Sequence, residues 1–142
     1  MTSAEQLLRF NESIRTEPVL PFTIAPVKPA DKLTAKELFF IHKLDKITGE
    51  HHHDLLFNST TAAKLLATSN RQLHRKLSEL FGKNFTQYLC HYRLARALPL
   101  LKTGLQVVLI CEMVGFSSAS YFAKCFKKAY ALTPKQFQQG KH

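Results

Sequence analysis

Small and basic side chains alternate with aromatic ones over residues 110–126, which read ICEMVGFSSASYFAKCF. Phe122 and Phe126 are four residues apart, so they share one face of a helix. The opposite face is small or basic and consists of Ser120, Ala123, Lys124 and Lys127. Short side chains and cations on such a face can lie against base edges and phosphates, while the aromatic face anchors the helix to its domain. The segment therefore predicts the recognition helix of a helix-turn-helix, with an ordinary amphipathic helix hairpin as the plainer alternative.

The same pattern occurs earlier in the chain. Ala63–Ser69 has the same spacing as Cys111–Ser117, and a shift of 49 residues places Leu73 on Phe122. The earlier helix has an outer face at the spacing i, i+3, i+4, i+7, formed by Arg71, His74, Arg75 and Ser78. Because the pattern is repeated, the chain is predicted to contain two helix-turn-helix units.

Three further helices are predicted outside these segments. Thr34 is expected to cap a helix that Gly49 ends. The pattern over residues 86–102 indicates a helix on the order of 25 Å long. That length can hold two units about one DNA turn apart, roughly 34 Å between centres. Thr133 and Pro134 supply the N-cap and first residue of a last short helix.

The charge of the chain is unevenly distributed. Twenty Lys and Arg against ten Asp and Glu give a net charge of +10. Residues 1–36 hold five cations and four acids, whereas residues 37–142 hold fifteen cations and six acids. Such an excess favours a polyanionic partner, because each phosphate that is neutralised releases condensed counterions.

The cysteines and histidines do not form a metal site in the sequence. Cys90, Cys111 and Cys125 are odd in number and contain no CxxC, which argues against zinc and disulfides and for a reduced compartment. Three consecutive histidines at residues 51–53 cannot share a helix face, so we expect a solvated loop there.

No catalytic arrangement is found either. The chain has no converging nucleophile and base and no Gly-rich phosphate loop, so we predict no enzyme activity, no metal and no cofactor. A signal peptide and a membrane-spanning run are also absent from the sequence, so we expect a cytoplasmic protein without a membrane partner.

Together the motifs resemble those of a known family. They are Ala63-(five)-Ser69-(three)-Leu73-His-Arg75-Lys-Leu77, Tyr88-(four)-Arg93-Leu94-(two)-Ala97, Leu100-Leu101, Ile110-(four)-Gly115-Phe116-(four)-Tyr121-Phe122-(three)-Phe126-Lys127-Lys128 and Thr133-Pro134. Residues 37–139 thus resemble the C-terminal DNA-binding domain of AraC/XylS-type transcription regulators. The variant is most similar to the output domains of hybrid two-component regulators from bacteria.

This resemblance implies an all-α fold of seven helices, in which two helix-turn-helix subdomains are joined by a long linker helix. Residues 1–33 are expected to be a leader and linker, partly disordered, because four prolines interrupt them. The domain would then cover residues 34–142. Its parts are predicted at about 59–82 (first unit), 86–102 (linker helix), 106–130 (second unit) and 134–139 (C-terminal helix).

The resemblance also implies that the two recognition helices enter adjacent major grooves of a specific DNA site and regulate transcription. The positions expected to contact bases are Arg71, His74, Arg75, Ala119, Ser120, Ala123 and Lys124. Phosphate contacts are expected from Ser69, Lys76, Arg96, Ser118, Lys127 and Lys128. An Arg that chelates guanine gives roughly 1–3 kcal/mol of discrimination. We therefore expect the first unit to read most bases and the second to hold more phosphates. For Arg93 we favour a structural role, pairing with a neighbouring carboxylate or carbonyl.

Two positions depart from the family pattern in ways that affect the backbone. Ala131 stands where the family usually has Gly, so the turn there needs a costlier or different conformation. Pro99 falls inside the linker helix, where it should bend or break the helix near Ala95.

Double-stranded DNA is the expected partner, and two unequal reading helices in one chain predict an asymmetric site that a monomer can bind. Dimerisation, RNA polymerase and an upstream sensory or receiver domain remain open as further interactions. Val108 and Leu109 are apolar where the family is usually polar, which indicates an exposed patch for a protein partner or, equally, helix packing. The alternative function is a module of the same fold that acts through protein contacts or non-specific DNA binding.

Overall fold

The computed structural model describes residues 22–140, and these residues form seven α-helices and no strand. The helices are α1 (Ala35–His51), α2 (Ser59–Leu65), α3 (Asn70–Phe81), α4 (Phe85–Leu101), α5 (Val107–Val114), α6 (Ala119–Tyr130) and α7 (Pro134–Gln138). The predicted all-α architecture of seven helices is confirmed. No single helix in this part of the chain is both long and apolar enough to cross a membrane; α5 and α6 reach that composition only together, across an 85° bend.

Two hydrophobic cores divide the described residues into two subdomains. The first core is built from α1, α2, α3 and the first half of α4, and it includes the fully buried Tyr88 and Tyr92. The second is built from the rest of α4 with α5, α6 and α7, and it includes Leu94 and Leu101. The helix α4 therefore supplies one half of its length to each core.

Each subdomain holds its helix-turn-helix corner with similar backbone chemistry. The corner is left-handed at Ala67 (φ 55°) in the first unit and at Gly115 (φ 93°) in the second. Ser69 and Ser118 then cap the recognition helices, and each hydroxyl accepts a hydrogen bond from a backbone N–H three residues later, at 3.1 Å. The repeat predicted from the sequence is thus present in three dimensions.

Gly49 does not end the first helix, contrary to the prediction. The helix α1 continues for two more residues to His51. A Cβ atom at Gly49 would lie 2.9 Å from the hydroxyl oxygen of Tyr92. The glycine is therefore used for its small size, because it lets α4 approach α1 closely.

Pro99 does not break the linker helix, which runs without interruption from Phe85 to Leu101. The proline lies in the last turn of α4, so only two helical residues follow it. Loss of one backbone hydrogen bond there leaves the rest of the helix intact.

Residues 22–33 were predicted to be linker, but they lie on the first subdomain. Phe22 and Ile24 pack against its core, and the backbone N–H of Thr23 donates a hydrogen bond of 3.0 Å to Asp45 Oδ1. Val27 donates from its backbone N–H to the carbonyl of Leu80 at 2.7 Å. The domain boundary at residue 33 remains a prediction, and residues 1–21 of the predicted leader lie outside the described part of the chain.

The two subdomains meet where α1 and α5 end, at a contact that we name the joint and define as His52, Arg93 and Gly115. Arg93 Nε donates to the carbonyl of His52 at 2.8 Å, and one of its terminal nitrogens donates to the carbonyl of Asp54 at 3.0 Å. Gly115 packs so closely on His52 that a Cβ atom would overlap the His52 carbonyl oxygen. The predicted structural role of Arg93, pairing with carbonyls, is confirmed.

Candidate nucleic-acid interface

The recognition helix of the first unit, α3, separates its two faces cleanly. Leu73 and Leu77 are fully buried, whereas Arg71, His74 and Arg75 are exposed. The structure therefore brings the three predicted base-contacting residues of this unit together on one solvent-facing surface.

Arg75 is held in place on this surface by its own helix. One terminal nitrogen of its guanidinium donates to Gln72 Oε1 at 2.7 Å, and the other donates to Glu79 Oε1 at 3.4 Å. These exposed contacts within one helix contribute little stability and are easily exchanged. They nevertheless reduce the freedom of the side chain, so the guanidinium is partly ordered before it meets a base.

The recognition helix of the second unit, α6, offers less polar chemistry. Phe122 and Phe126 are fully buried, and Ser120 and Lys124 are exposed on the other side. The two predicted alanines, Ala119 and Ala123, are half-buried. Two exposed lysines, Lys127 and Lys128, occupy the last turn, where cations also interact favourably with the helix dipole.

Two of the predicted phosphate-binding residues do not join the recognition surfaces. Lys76 is half-buried, and its Nζ lies 4.8 Å from the centroid of the Phe40 ring on α1. The guanidinium carbon of Arg96 lies 5.5 Å from the centroid of the Tyr92 ring on α4. Both cations therefore lie against aromatic rings, to which they are attracted electrostatically.

A cleft separates the two units, and both recognition helices contribute to its wall. His74 of α3 and Tyr121 of α6 line it, together with Asn58, Cys90 and Arg93. The helices α3 and α6 consequently lie on the same side of α4. Tyr121 is 50% exposed, and a hydrogen bond with the Cys125 thiol raises its pKa. Sequence reasoning treated Tyr121 only as a motif residue, and its helical position beside the buried Phe122 gave no signal of a role in this cleft.

The predicted solvated loop at residues 51–53 is only partly correct. His51 is the last residue of α1 and stacks on Phe57 with ring centroids 5.4 Å apart. His52 is half-buried, and its Nδ1 lies 3.1 and 3.0 Å from the carbonyl oxygens of Thr48 and Gly49. Burial lowers the pKa of His52. No group of three or more potential metal ligands occurs within residues 22–140.

Comparison with known proteins agrees with this geometry. The family model HTH_18, described as a helix-turn-helix domain, matches residues 62–140, more than half of the chain. The HTH-type transcriptional activator CsvR of Escherichia coli is 34% identical over 125 residues, which are 83% of this chain and 46% of CsvR. The chain thus spans less than half the length of this curated relative.

Solved structures show the same fold. The C-terminal domain of the two-component response regulator yesN from Fusobacterium nucleatum is 35% identical, with a TM-score of 0.62 over 73% of this chain and 97% of that chain. An AraC-type regulator from Chromobacterium violaceum is 23% identical, with a TM-score of 0.69 over 76% of this chain and 96% of that chain, and it supports the fold alone. Because the family model matches more than half of the chain, this chain belongs to the AraC-type helix-turn-helix family.

Proposed function

We propose that this chain binds a specific double-stranded DNA site and regulates transcription, with α3 and α6 in adjacent major grooves. One observation carries the proposal: two repeated units present exposed polar faces on the same side of one unbroken helix, α4. Its 17 residues span on the order of 25 Å, which suits two major-groove contacts about one DNA turn, roughly 34 Å, apart. Membership of a regulator family supports binding rather than catalysis.

The two units are proposed to make different contacts with the DNA. Arg71 and Arg75 can each place two donors on guanine O6 and N7, and His74 can donate to a base or a phosphate. On α6, Ser120 and Lys124 can contact bases, while Ala119 and Ala123 offer methyl contacts only. The proposed phosphate contacts are Ser69, Lys76, Arg96, Ser118, Lys127 and Lys128.

One chain carries both reading helices, so we propose that a monomer suffices to bind an asymmetric site. We take activation as the first direction to test, because CsvR is named an activator. RNA polymerase, or a sensory or receiver domain, is proposed as a further partner, since the similar yesN domain belongs to a response regulator. A DNA partner of this kind implies a cytoplasmic location.

The proposal is tested by selection from random duplexes at physiological salt, followed by titration of the selected duplex and a scrambled one. We expect one asymmetric site of about two turns to be enriched. Arg75→Ala should lower affinity for the selected duplex by about 5- to 150-fold, equivalent to roughly 1–3 kcal/mol, with little change for the scrambled one. Arg75→Lys, which keeps the charge but loses the paired donors, should fail to restore specificity.

Lys127→Ala serves as the matched control, because it removes one phosphate contact. It should weaken binding to both duplexes equally and reduce the salt dependence by about one ion. If no site is enriched, and both duplexes bind equally and are released together by salt, the chain is a non-specific DNA-binding or protein-contact module instead.

A further inference from the structure

We propose that two copies of this chain, bound to adjacent DNA sites in direct repeat, contact each other through two complementary surfaces. The first, the acidic strip, is on α5 and consists of Val108, Leu109, Glu112 and Met113. The second, the basic groove, lies between α1 and the first helix-turn-helix and consists of Lys36, Phe39, Phe40, Lys43, Leu66 and Lys76. This inference rests on the proposed function, because DNA brings the two copies together.

The acidic strip consists of three apolar side chains and one carboxylate, and the fold leaves it exposed. Val108, Leu109 and Met113 are 59%, 44% and 42% exposed, so these side chains are exposed rather than packed against another described helix. Their spacing places them on one side of α5, with Glu112 among them. Glu112 is the only acid after Glu79 in the sequence, and it forms no ion pair with any residue in the 22–140 range.

The corresponding helix of the first unit, α2, shows that the fold does not require apolar and acidic side chains at these positions. The positions in α2 that correspond to the acidic strip are Thr60, Thr61, Lys64 and Leu65. Three of these four residues are polar, and one of the three, Lys64, is a cation. Exposed apolar surface marks contact sites, and a carboxylate is repelled by DNA phosphates, so the acidic strip suits a protein partner.

The basic groove has the opposite charge and a similar apolar surface. Phe39 is 70% exposed, although it lies beside the buried Phe40. Lys36, Lys43 and Lys76 surround these rings, and no acid lines the groove. Neither Lys36 nor Lys43 forms an ion pair with a described residue. An apolar side chain flanked by a carboxylate complements this surface in both respects.

The placement of the two surfaces determines the arrangement of the copies. The basic groove belongs to the first subdomain and the acidic strip to the second. Contact between unlike surfaces is head-to-tail, so both copies must face the same direction along the DNA. Direct repeats therefore permit the contact, whereas inverted repeats do not.

The size of the contact determines whether the two copies associate in free solution or only on DNA. Four side chains on a shallow groove bury far less than the roughly 1,200 Å² that stable complexes require. The chain should therefore be a monomer in free solution. Adjacent sites on one duplex raise the effective concentration to the order of millimolar, at which a weak contact becomes cooperative binding.

The test compares titrations of a single selected site with those of direct and inverted repeats at several spacings. On a direct repeat of suitable spacing we expect a second copy to bind about 10-fold more tightly than to a single site. Glu112→Lys and Lys43→Glu should each remove this gain, and the double variant should restore it because the charges are exchanged. Cooperativity is a ratio to the single-site affinity of the same variant, so general effects of charge cancel.

Leu109→Ser tests the apolar part and should also remove the gain. Lys64→Glu, at the position in α2 that matches Glu112, is the control and should leave the cooperativity unchanged. If single-site binding is specific but no repeat binds cooperatively, this inference is wrong while the proposed function stands. If Leu109→Ser then abolishes transcription activation without loss of DNA binding, the acidic strip contacts another protein, such as RNA polymerase. If no duplex is bound specifically, both proposals fail.

Discussion

At the scale of single residues, the hydroxyl of Tyr92 is buried without a hydrogen-bond partner among the described residues. A buried polar group without a partner costs roughly 1–3 kcal/mol of stability. We expect Tyr92→Phe to leave the free energy of unfolding unchanged or to raise it by up to about 1 kcal/mol. Urea denaturation followed by circular dichroism measures this.

Tyr88 provides the matched control, because the side chain of Thr48 interacts with its hydroxyl. Tyr88→Phe should lower the free energy of unfolding by about 1 kcal/mol. A similar loss in Tyr92→Phe would show that the Tyr92 hydroxyl has a partner after all.

Sequence periodicity was sufficient to place Arg71 and Arg75, because both lie opposite buried leucines of the same helix. It was insufficient to place the charged groups of Lys76 and Arg96. Their positions depend on aromatic rings, Phe40 in another helix and Tyr92 one turn earlier. A long cationic side chain follows the nearest apolar surface, and that surface is known only once the helices are packed.

At the scale of helices, α6 ends at Ala131 in a left-handed conformation with φ 63°. The sequence predicted a costlier turn at this position, and that is what the structure contains. An L-residue in this conformation costs roughly 1–2 kcal/mol, which glycine avoids. We expect Ala131→Gly to raise the free energy of unfolding by about 1 kcal/mol in thermal denaturation.

Ala129, exposed in the last turn of the same helix, gives the opposite test. Ala129→Gly should lower the free energy of unfolding by up to about 1 kcal/mol, because glycine is unfavourable within helices. Equal effects of the two substitutions would contradict the conformational explanation.

Gly115 combines a left-handed backbone with close packing, and Gly104 separates the two effects. Both have positive φ, 93° and 85°, but an added Cβ meets nothing within 4 Å at Gly104, whereas at Gly115 it overlaps the His52 carbonyl. Gly104→Ala should therefore cost about 1–2 kcal/mol of stability. Gly115→Ala should cost about 1–3 kcal/mol more, because the joint must shift.

Chemical denaturation of both glycine variants measures this difference. Equal losses would show that the joint yields at little cost. Specific DNA affinity gives a second measurement, because a shifted joint changes the angle between the reading helices. Only Gly115→Ala should reduce this affinity.

The local sequence predicted where most helices begin, because the capping residues act within a few positions of themselves. It did not predict that α1 passes through Gly49 or that Pro99 leaves α4 unbroken. The first depends on a tyrosine 43 residues further along the chain. The second depends on where the helix ends, which the packing of Leu101 into the second core determines. Both are properties of the packed structure.

At the scale of the whole molecule, the joint makes stability depend on pH. Burial lowers the pKa of His52 below its unfolded value of 6.5, so the folded state favours the neutral ring. The resulting stability is fully present above pH 6.5 and is lost as the pH falls through the folded-state pKa. We expect the free energy of unfolding to fall as the pH is lowered below 6.5.

His52→Asn, which keeps a donor near the Thr48 carbonyl, should reduce this pH dependence. It should not abolish it, because burial also lowers the pKa of His91. His53→Asn removes a smaller cause of the same shift, because the charge of His53 also lowers the pKa of His52, so it should reduce the pH dependence less than His52→Asn does. Stability that rises as the pH falls over this range would contradict the role of the joint.

The two-subdomain architecture was predictable because the helix-turn-helix pattern is repeated in the sequence. The joint was only partly predictable: Arg93 was expected to pair with a carbonyl, but the identity of that carbonyl depends on contacts across 39–41 residues.

Because α4 is shared between two cores, it restricts the spacing between the two halves of any DNA site that this protein binds. A flexible connector would let the two reading helices follow binding sites of variable spacing. A continuous helix anchored at both ends does not, because one inserted base pair rotates the second half-site by about 34° and moves it about 3.4 Å. Natural binding sites should therefore have one fixed length, so that a single ungapped pattern describes all of them.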